Sequence, residues 1–389
     1  MKIFIVPSWY PTKINPTVGT FFVDRAQFIQ NAGHDVVIIV NIAHSLRKLL
    51  RFNFGYTRDN KCNMEYGLKT YRNEYINWRP FVPQLFFNHY KKILCMQTKN
   101  ILKEFGKPDL VLINSSLWAG AALSEILHME DIPYIVSEHL KEFLIPNGFS
   151  HYQLNCINIS YQYAKNIIAT SSSLQKAIVN YFPNYSNKIK LIPNPTDYYK
   201  YSSLNKQKIT RVPFKFISVA AFRSEKRIDL LLHAFNYVIQ EYDNINLTII
   251  GDGPEKKSVL SLIKKMNLQN NVTLKGHLYK NEIVSELCNS NAFVLSSDVE
   301  TFGVVLIEAL ACGIPIVATR CGGPEDIVSS ETGILIDKGS SKELALGMKQ
   351  MLIKYKYFQF NKLRSFAKER YGERTYLHSL NSIFNSIAY

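Results

Sequence analysis

No apolar run in this 389-residue chain approaches the roughly 18 residues that a membrane-spanning helix needs, so no such helix is expected. Cysteine is scarce and scattered. The six residues at 62, 95, 156, 288, 312 and 321 form no C-x-x-C pair, and no histidine stands at the spacing of a zinc partner. Free buried thiols in a reducing compartment are implied, which points to the cytoplasm. The opening MKIFIVPSWYP has too short an apolar core for a signal peptide and reads as a first buried strand. The dinucleotide fingerprint G-x-G-x-x-G follows no strand, which argues against a dehydrogenase, and no RNA- or DNA-binding motif is present. Acidic residues are also few, 31 against 46 Lys and Arg, leaving a net charge of +15. The surplus is uneven: residues 41–107 hold 13 Lys/Arg and 4 Asp/Glu. Such a surface suits nucleic acid, an anionic membrane or an acidic substrate.

What is present is alternation. Short apolar runs follow amphipathic segments nearly throughout, the pattern of parallel sheets wrapped by helices. In the first half, strands are predicted at Lys2–Val6, Asp35–Val40, Leu110–Ile113, Tyr134–Ser137 and Asn166–Thr170. Helices are predicted over Phe22–Ala32, Asn88–Phe105, Ala119–Met129 and Leu174–Tyr181. A break at Pro193-Asn194-Pro195-Thr196 and a polar connector, Tyr198–Arg211, precede a second series. Its strands are Phe214–Ala220, Asn246–Ile250, Val272–Lys275, Ala292–Leu295, Ile316–Ala318 and Ile334–Ile336. The expected class is α/β, as two doubly wound, Rossmann-like domains. Their spans are 1–195 and 196–370, with a C-terminal helical segment at 371–389 that returns to the first domain. A chain of this length fits two domains of roughly 150–200 residues each. Residues 44–90, rich in Tyr, Asn and Lys, are the least legible part.

The most informative stretch runs from Ser296 to Thr319. Glu300 follows the strand Ala292–Leu295 through a short polar loop. Thr301-Phe302-Gly303 then turns into a helix, Val304 to Ala311, that carries Glu308 and stops at Gly313. The first acid thus sits outside a helix N-terminus, whose unpartnered N–H groups bind phosphate or sugar oxygens. Glu308 lies more than a turn further along. Taken alone, the two acids are as readily a dipole partner and a solvated charge as a binding pair.

The wording around them decides. ETFGVVLIEALACGIPIVAT closely resembles the donor-site motif of family-4 (group 1) retaining glycosyltransferases, in which two glutamates with seven residues between them flank a phosphate-binding helix start. MKIFIVPSWYPT and VGTFFVDRAQFIQNAGHDV resemble that family's first strand, glycine loop and first helix. IPNPTD resembles its linker, and ISVAAFRSEKRIDLLLHAF and IIGDGPEK its next two donor-domain motifs. The resemblance implies the GT-B architecture, two Rossmann-like domains facing a cleft, with acceptor-binding in the first domain and donor-binding in the second. It implies that Lys226 and Arg223 neutralise the departing diphosphate. Ala220-Ala221 stand where many members have Gly-Arg, so Arg223 fits a variant spelling, F-R-x-x-K. Backbone N–H groups of Thr301, Phe302, Gly303 and Val304 would meet phosphates and sugar, Glu300 the sugar hydroxyls and Glu308 the ribose. Gly19 matches the glycine loop and His139 the histidine that faces the donor sugar. Glu138, Asn194 and Gly253 complete the candidate set.

No cofactor and no metal are expected, because Asp-x-Asp, the usual Mg²⁺ or Mn²⁺ pair of other sugar transferases, occurs nowhere. The implied reaction is transfer from a nucleotide-sugar donor to a cell-envelope glycan or lipid-linked sugar acceptor, with attack on the face the phosphate leaves. An anionic membrane surface is a further expected partner and nucleic acid is not. HSLRKLLRF (44–52), with three cations and three leucines, is the expected contact. A sugar-nucleotide 2-epimerase of the same fold, and a non-catalytic basic membrane-docking protein, remain the alternatives.

Overall fold

The computed structural model describes residues 1–13, 15–16, 18–45, 58–78, 82–202 and 213–388. The membrane stretch expected at 44–52 lies outside the described residues from 46 on, and the connector expected at 198–211 does so from 203 on. Two compact units divide the chain. Unit 1 comprises residues 1–170, 174–192 and 377–389, and unit 2 residues 171–173 and 193–376.

Unit 1 runs β1 (Lys2–Pro7), α1 (Thr20–Asn31), β2 (Asp35–Ser45), β3 (Arg58–Glu65), β4 (Leu68–Asn77), α2 (Pro83–Phe105), β5 (Leu110–Asn114), α3 (Ala121–Met129), β6 (Tyr134–Glu138), α4 (His151–Gln162), β7 (Asn166–Ala169), α5 (Ser172–Tyr181) and β8 (Ile189–Leu191). The sheet order is β3-β4-β2-β1-β5-β6-β7-β8, parallel throughout except for the β3–β4 hairpin. Strands covered on both faces must be apolar on both, which is why Ile3–Val6, Val36–Val40 and Leu110–Ile113 read as unbroken apolar runs; all are buried.

The hairpin is absent from the sequence expectation. β4 buries Thr70 and Asn73 beside Tyr71, Tyr75 and Ile76, so its buried positions do not look apolar, and β3 reads RDNKCNME. β2 also runs five residues beyond Val40, pairing with β4 as far as Ser45–Asn77. This region absorbs part of its own charge. Arg72 reaches Glu65 at 2.5 Å and Glu74 at 2.6 Å, and Lys69 pairs with Asp35 at 3.0 Å.

Unit 2 opens with α6 (Tyr198–Ser202) and β9 (Phe214–Val219). It continues through α7 (Ile228–Ile239), β10 (Ile245–Ile250), α8 (Lys256–Lys265), β11 (Val272–Gly276), α9 (Lys280–Cys288), β12 (Ala292–Leu295), α10 (Val304–Ala311), β13 (Ile316–Thr319), α11 (Pro324–Ile327), β14 (Gly333–Ile336), α12 (Ser341–Lys354) and α13 (Phe360–Tyr371). α14 (Glu373–Ala388) starts here and belongs to unit 1 from Leu377. Its six strands are all parallel, in the order β11-β10-β9-β12-β13-β14. Strand order therefore reverses beside β9 here and beside β1 in unit 1. The crevice outside the carboxyl ends of strands at such a switch is where open α/β sheets take ligands.

α10 is anchored by Leu306, Ile307 and Leu310, all fully buried against β12 and β13 residues such as Phe293 and Ile316. Leu310→Ala should lower the stability of unit 2 by about 2–5 kcal/mol, read from its urea transition, because the packed site cannot collapse around the lost atoms.

Candidate functional site

The unit 2 site is built from the two loops that leave the switch point. After β9 the chain passes through Ala220–Phe222 into a single helical turn, Ser224–Lys226. After β12 it runs from Ser296 to Gly303. The loops are stapled together: the Ser296 hydroxyl donates to the Lys226 carbonyl at 2.9 Å, and the Asp298 N–H donates to the Glu225 carbonyl at 2.8 Å. Arg227, in the left-handed region at φ 47°, adds an ionic tie to Asp298 at 3.1 Å and to Asp229 at 3.1 Å.

This framework brings Lys226 Nζ to 2.5 Å from Glu300 Oε2. Burial alone would lower the lysine's pKa. The Glu300 charge and hydrogen bond outweigh it, so the ammonium is held above its ordinary range and stays charged. Glu300 is fixed through its backbone, with its N–H on the Cys321 carbonyl at 2.9 Å and its carbonyl taking the Gly323 N–H at 2.7 Å. The approach is close enough that a Cβ on Gly323 would stand 2.2 Å from Phe302 Cα. Gly303, at φ 95°, then turns the chain into α10, whose N-terminus no side chain caps and whose first turn holds no acid. Thr301 and Val304 are half-buried and Phe302 is buried. Glu308 accepts a hydrogen bond from the buried Tyr201 hydroxyl.

Gly253 serves the same framework. A Cβ there would meet the Phe222 carbonyl oxygen at 2.5 Å, and one on Gly251 the Ala220 oxygen at 1.9 Å, so both glycines let the loop after β10 press on the Lys226 loop. Arg223 stands elsewhere. It is exposed, has no ion-pair partner among the described residues, and lines a cavity of about 670 Å³ with Arg227, Asp229, His233 and Glu255, which neither Lys226 nor Glu300 lines. Asn194 is buried in the segment that opens unit 2.

In unit 1, Gly19 caps α1 at φ 78°; a Cβ would approach the Trp9 carbonyl oxygen to 2.7 Å. His139 follows β6 and is 8% exposed, with Nε2 at 2.9 Å from Arg25 Nη1 and 3.1 Å from Ser137 Oγ. Burial, then the Arg25 cation, hold its pKa well below the ordinary histidine range. Glu138 is turned inward. Its fully buried carboxylate accepts from the Ser116 N–H at 3.0 Å and the Tyr161 hydroxyl at 2.8 Å, and burial raises its pKa. There it supports the architecture of unit 1. Arg25, Tyr201 and the Arg227–Asp298 tie are not in the sequence-derived set. Arg25 had a legible signal, since it lies on the buried Phe22-Ala26-Ile29 stripe of α1, where a charge needs a partner.

Two family models cover most of the chain: "Glycosyltransferase Family 4" over residues 18–199 and "Glycosyl transferases group 1" over residues 202–370. An uncharacterised glycosyltransferase of Methanocaldococcus jannaschii is 32% identical over 254 residues, 60% of this chain and 61% of that protein, so the match spans about three fifths of that relative's length. A putative teichuronic acid biosynthesis glycosyltransferase, TuaC, of Bacillus subtilis is 23% identical over 361 residues, 89% of this chain and 87% of its own. Among solved structures, Anabaena HepE in complex with UDP superposes with a TM-score of 0.74 at 20% identity, covering 99% of this chain and all of that one. The shared fold is GT-B.

The cysteines give a direct check on the packing around the site. Cys321, beside Glu300 and Lys226, has its thiol pushed up to about 12, chiefly by burial, whereas Cys62 is exposed. In the native protein at pH 8, iodoacetamide should label Cys62 and leave Cys321 unmodified until denaturant is added, as read by peptide mass spectrometry. Native labelling of Cys321 would show the Glu300 loop to be open.

Proposed function

The chain belongs to the group 1, family-4 glycosyltransferases, and from that premise we propose that it moves a sugar, with retention, from a nucleotide-sugar donor to a cell-envelope glycan or a lipid-linked acceptor. The observation that carries this reading is the Lys226–Glu300 pair, set at the switch point of unit 2 beside the uncapped start of α10. A departing diphosphate needs positive charge placed before the bond breaks. Lys226 supplies a held cation, and the N–H groups at Thr301–Val304 supply a dipole end suited to phosphate. Glu300 and Glu308 accept from hydroxyls of the sugar and the ribose. That HepE, of the same fold, was solved with UDP supports a nucleoside-diphosphate donor.

Glu300 is ion-paired to Lys226, which makes it a poor nucleophile and favours attack from the face the phosphate leaves. The acceptor oxygen bonds to the anomeric carbon as the carbon–phosphate-oxygen bond breaks, and a diphosphate oxygen takes the acceptor proton. In this reading Lys226 and the N-terminus of α10 stabilise the diphosphate in the role a metal plays in other sugar transferases. The acceptor's place in this reading is a cavity of about 380 Å³ in unit 1, lined by Trp9, Tyr10, Phe86, Tyr90 and Trp118. Asn41 and His44 supply polar edges and, among the described residues, no lysine or arginine lines it, which suits a neutral sugar ring. Similarity to TuaC supports an envelope glycan as acceptor.

Membrane contact belongs to the same reading, because lipid-linked acceptors sit in a bilayer. α2 presents Lys92, Lys99 and Lys103 with the exposed Leu85 and Met96, and none of the described helices is long and apolar enough to cross a membrane. Binding to vesicles containing anionic lipid should fall with salt and weaken in a Lys92, Lys99 and Lys103→Glu variant, as measured by co-sedimentation. Equal binding to neutral vesicles would remove charge from the account.

The function itself is tested by turnover. Donor should be consumed only when acceptor is present, which an epimerase would not require, and activity should persist in excess chelator. Lys226→Ala should cut kcat by about 10²–10³ with the fold intact. A strict need for divalent metal, or full activity of Lys226→Ala, would sink the reading.

A further inference from the structure

α1 delivers three side chains to one imidazole. The Phe21 and Phe22 rings lie 5.4 Å and 5.0 Å from the His139 ring, Phe22 meeting it edge-on at 84°. One turn after Phe21, Arg25 reaches the same ring from a position only 3% exposed. Its Nη1 stands 2.9 Å from His139 Nε2, while its Nη2 donates to Ser137 Oγ at 3.2 Å. Ser137 Oγ in turn lies 3.1 Å from Nε2.

Proton bookkeeping in this triangle has one solution. A guanidinium has donors only, so Nε2 must accept from Arg25. Ser137 Oγ accepts from Nη2 and therefore has its own hydrogen available for Nε2. Two donors converging on one ring nitrogen require it to be bare, and the proton of the neutral ring then sits on Nδ1. A protonated imidazolium would set an N–H against a buried cation.

We propose that Arg25 is a positioning residue that locks His139 as the neutral Nδ1–H tautomer, so that His139 serves the transfer as a hydrogen-bond donor and takes no proton. The role in transfer rests on the function proposed above, while the tautomer rests on the Arg25–Ser137–His139 geometry alone. The lock assigns the acceptor proton to the leaving diphosphate. One carbon–oxygen bond forms at the anomeric carbon, one breaks, and the proton moves from acceptor oxygen to phosphate oxygen, with His139 neutral before and after.

Nitrogen NMR of the full-length, ¹⁵N-histidine-labelled protein tests this without any substrate, with His139 assigned through His139→Gln. The expected spectrum shows Nδ1 protonated and Nε2 bare, unchanged between about pH 5.5 and 8, across the ordinary histidine range. Arg25→Met should release Nε2, so that the ring proton spreads over both nitrogens while burial still keeps the ring neutral, and Arg25→Lys should restore most of the fixed pattern. A wild-type proton on Nε2, titration of wild-type His139 in the window, or an unchanged pattern in Arg25→Met would each overturn the proposal. If Arg25→Met does not fold, the wild-type spectrum decides alone. With donor and acceptor, Arg25→Met should lower kcat by at least about tenfold with acceptor KM little changed, and Arg25→Lys should recover part of it. An unchanged kcat would overturn the role in transfer. A locked tautomer in a protein that turns over no sugar nucleotide would uphold the lock and overturn the transferase reading.

Discussion

A lysine and a glutamate 2.5 Å apart, at the point where one parallel sheet reverses its strand order, are the constraint around which unit 2 is arranged. Each charge makes the other tolerable at partial burial. Lys226 alone would be pushed toward neutrality, and Glu300 keeps it an ammonium. With both side chains partly open to solvent, the pair adds little to stability; in the proposed reading its value is a cation in place before a ligand arrives. The neighbouring features serve that placement. β9 and β12 are adjacent, Ser296 and Asp298 hold the Lys226 turn, and Gly323 lets the Cys321–Gly323 loop clamp Glu300. Gly251 and Gly253 admit the next loop as a backstop.

Unit 1 solves a related problem with deeper burial. Arg25, Glu138 and His139 are all enclosed there, and buried ionisable groups persist only when partnered. Arg25 shares its donors between His139 and Ser137, while Glu138 accepts from Ser116 and Tyr161. The two clusters leave adjacent residues of one strand end, one facing inward and one toward α1. A rigid ring at the carboxyl end of β6 is the outcome.

Legibility followed the location of the chemistry. Where it lies in the backbone, as at Gly303 and Gly313, residue identity and spacing encode it directly, and the Glu300–Gly313 segment could be read as loop, helix and stop. The parallel strands buried on both faces were equally plain, because that burial removes polar residues, whereas β8, three residues long with Lys190 and Leu191 exposed, was not. The β3–β4 hairpin was not, since its buried positions include Thr70 and Asn73 and its edge strand is polar. Side-chain direction was the other loss. Glu138 and His139 look alike as neighbours after a strand, yet alternation sends one into the core. Arg223 and Lys226 sit three residues apart in one basic string, but the turn between them points only Lys226 at Glu300. The Tyr201 hydroxyl on Glu308 joins positions 107 residues apart, and no local pattern announces it.

The central claim is that Lys226 is the cation of a diphosphate site. Calorimetric titration of UDP, GDP and ADP, in chelator, into wild-type protein and Lys226→Ala addresses it most directly. One of the three should bind the wild type and lose at least about tenfold in affinity, roughly 1.4 kcal/mol, in the variant, while the matching nucleoside without phosphates binds both alike. Equal diphosphate affinity for the two proteins would contradict the account.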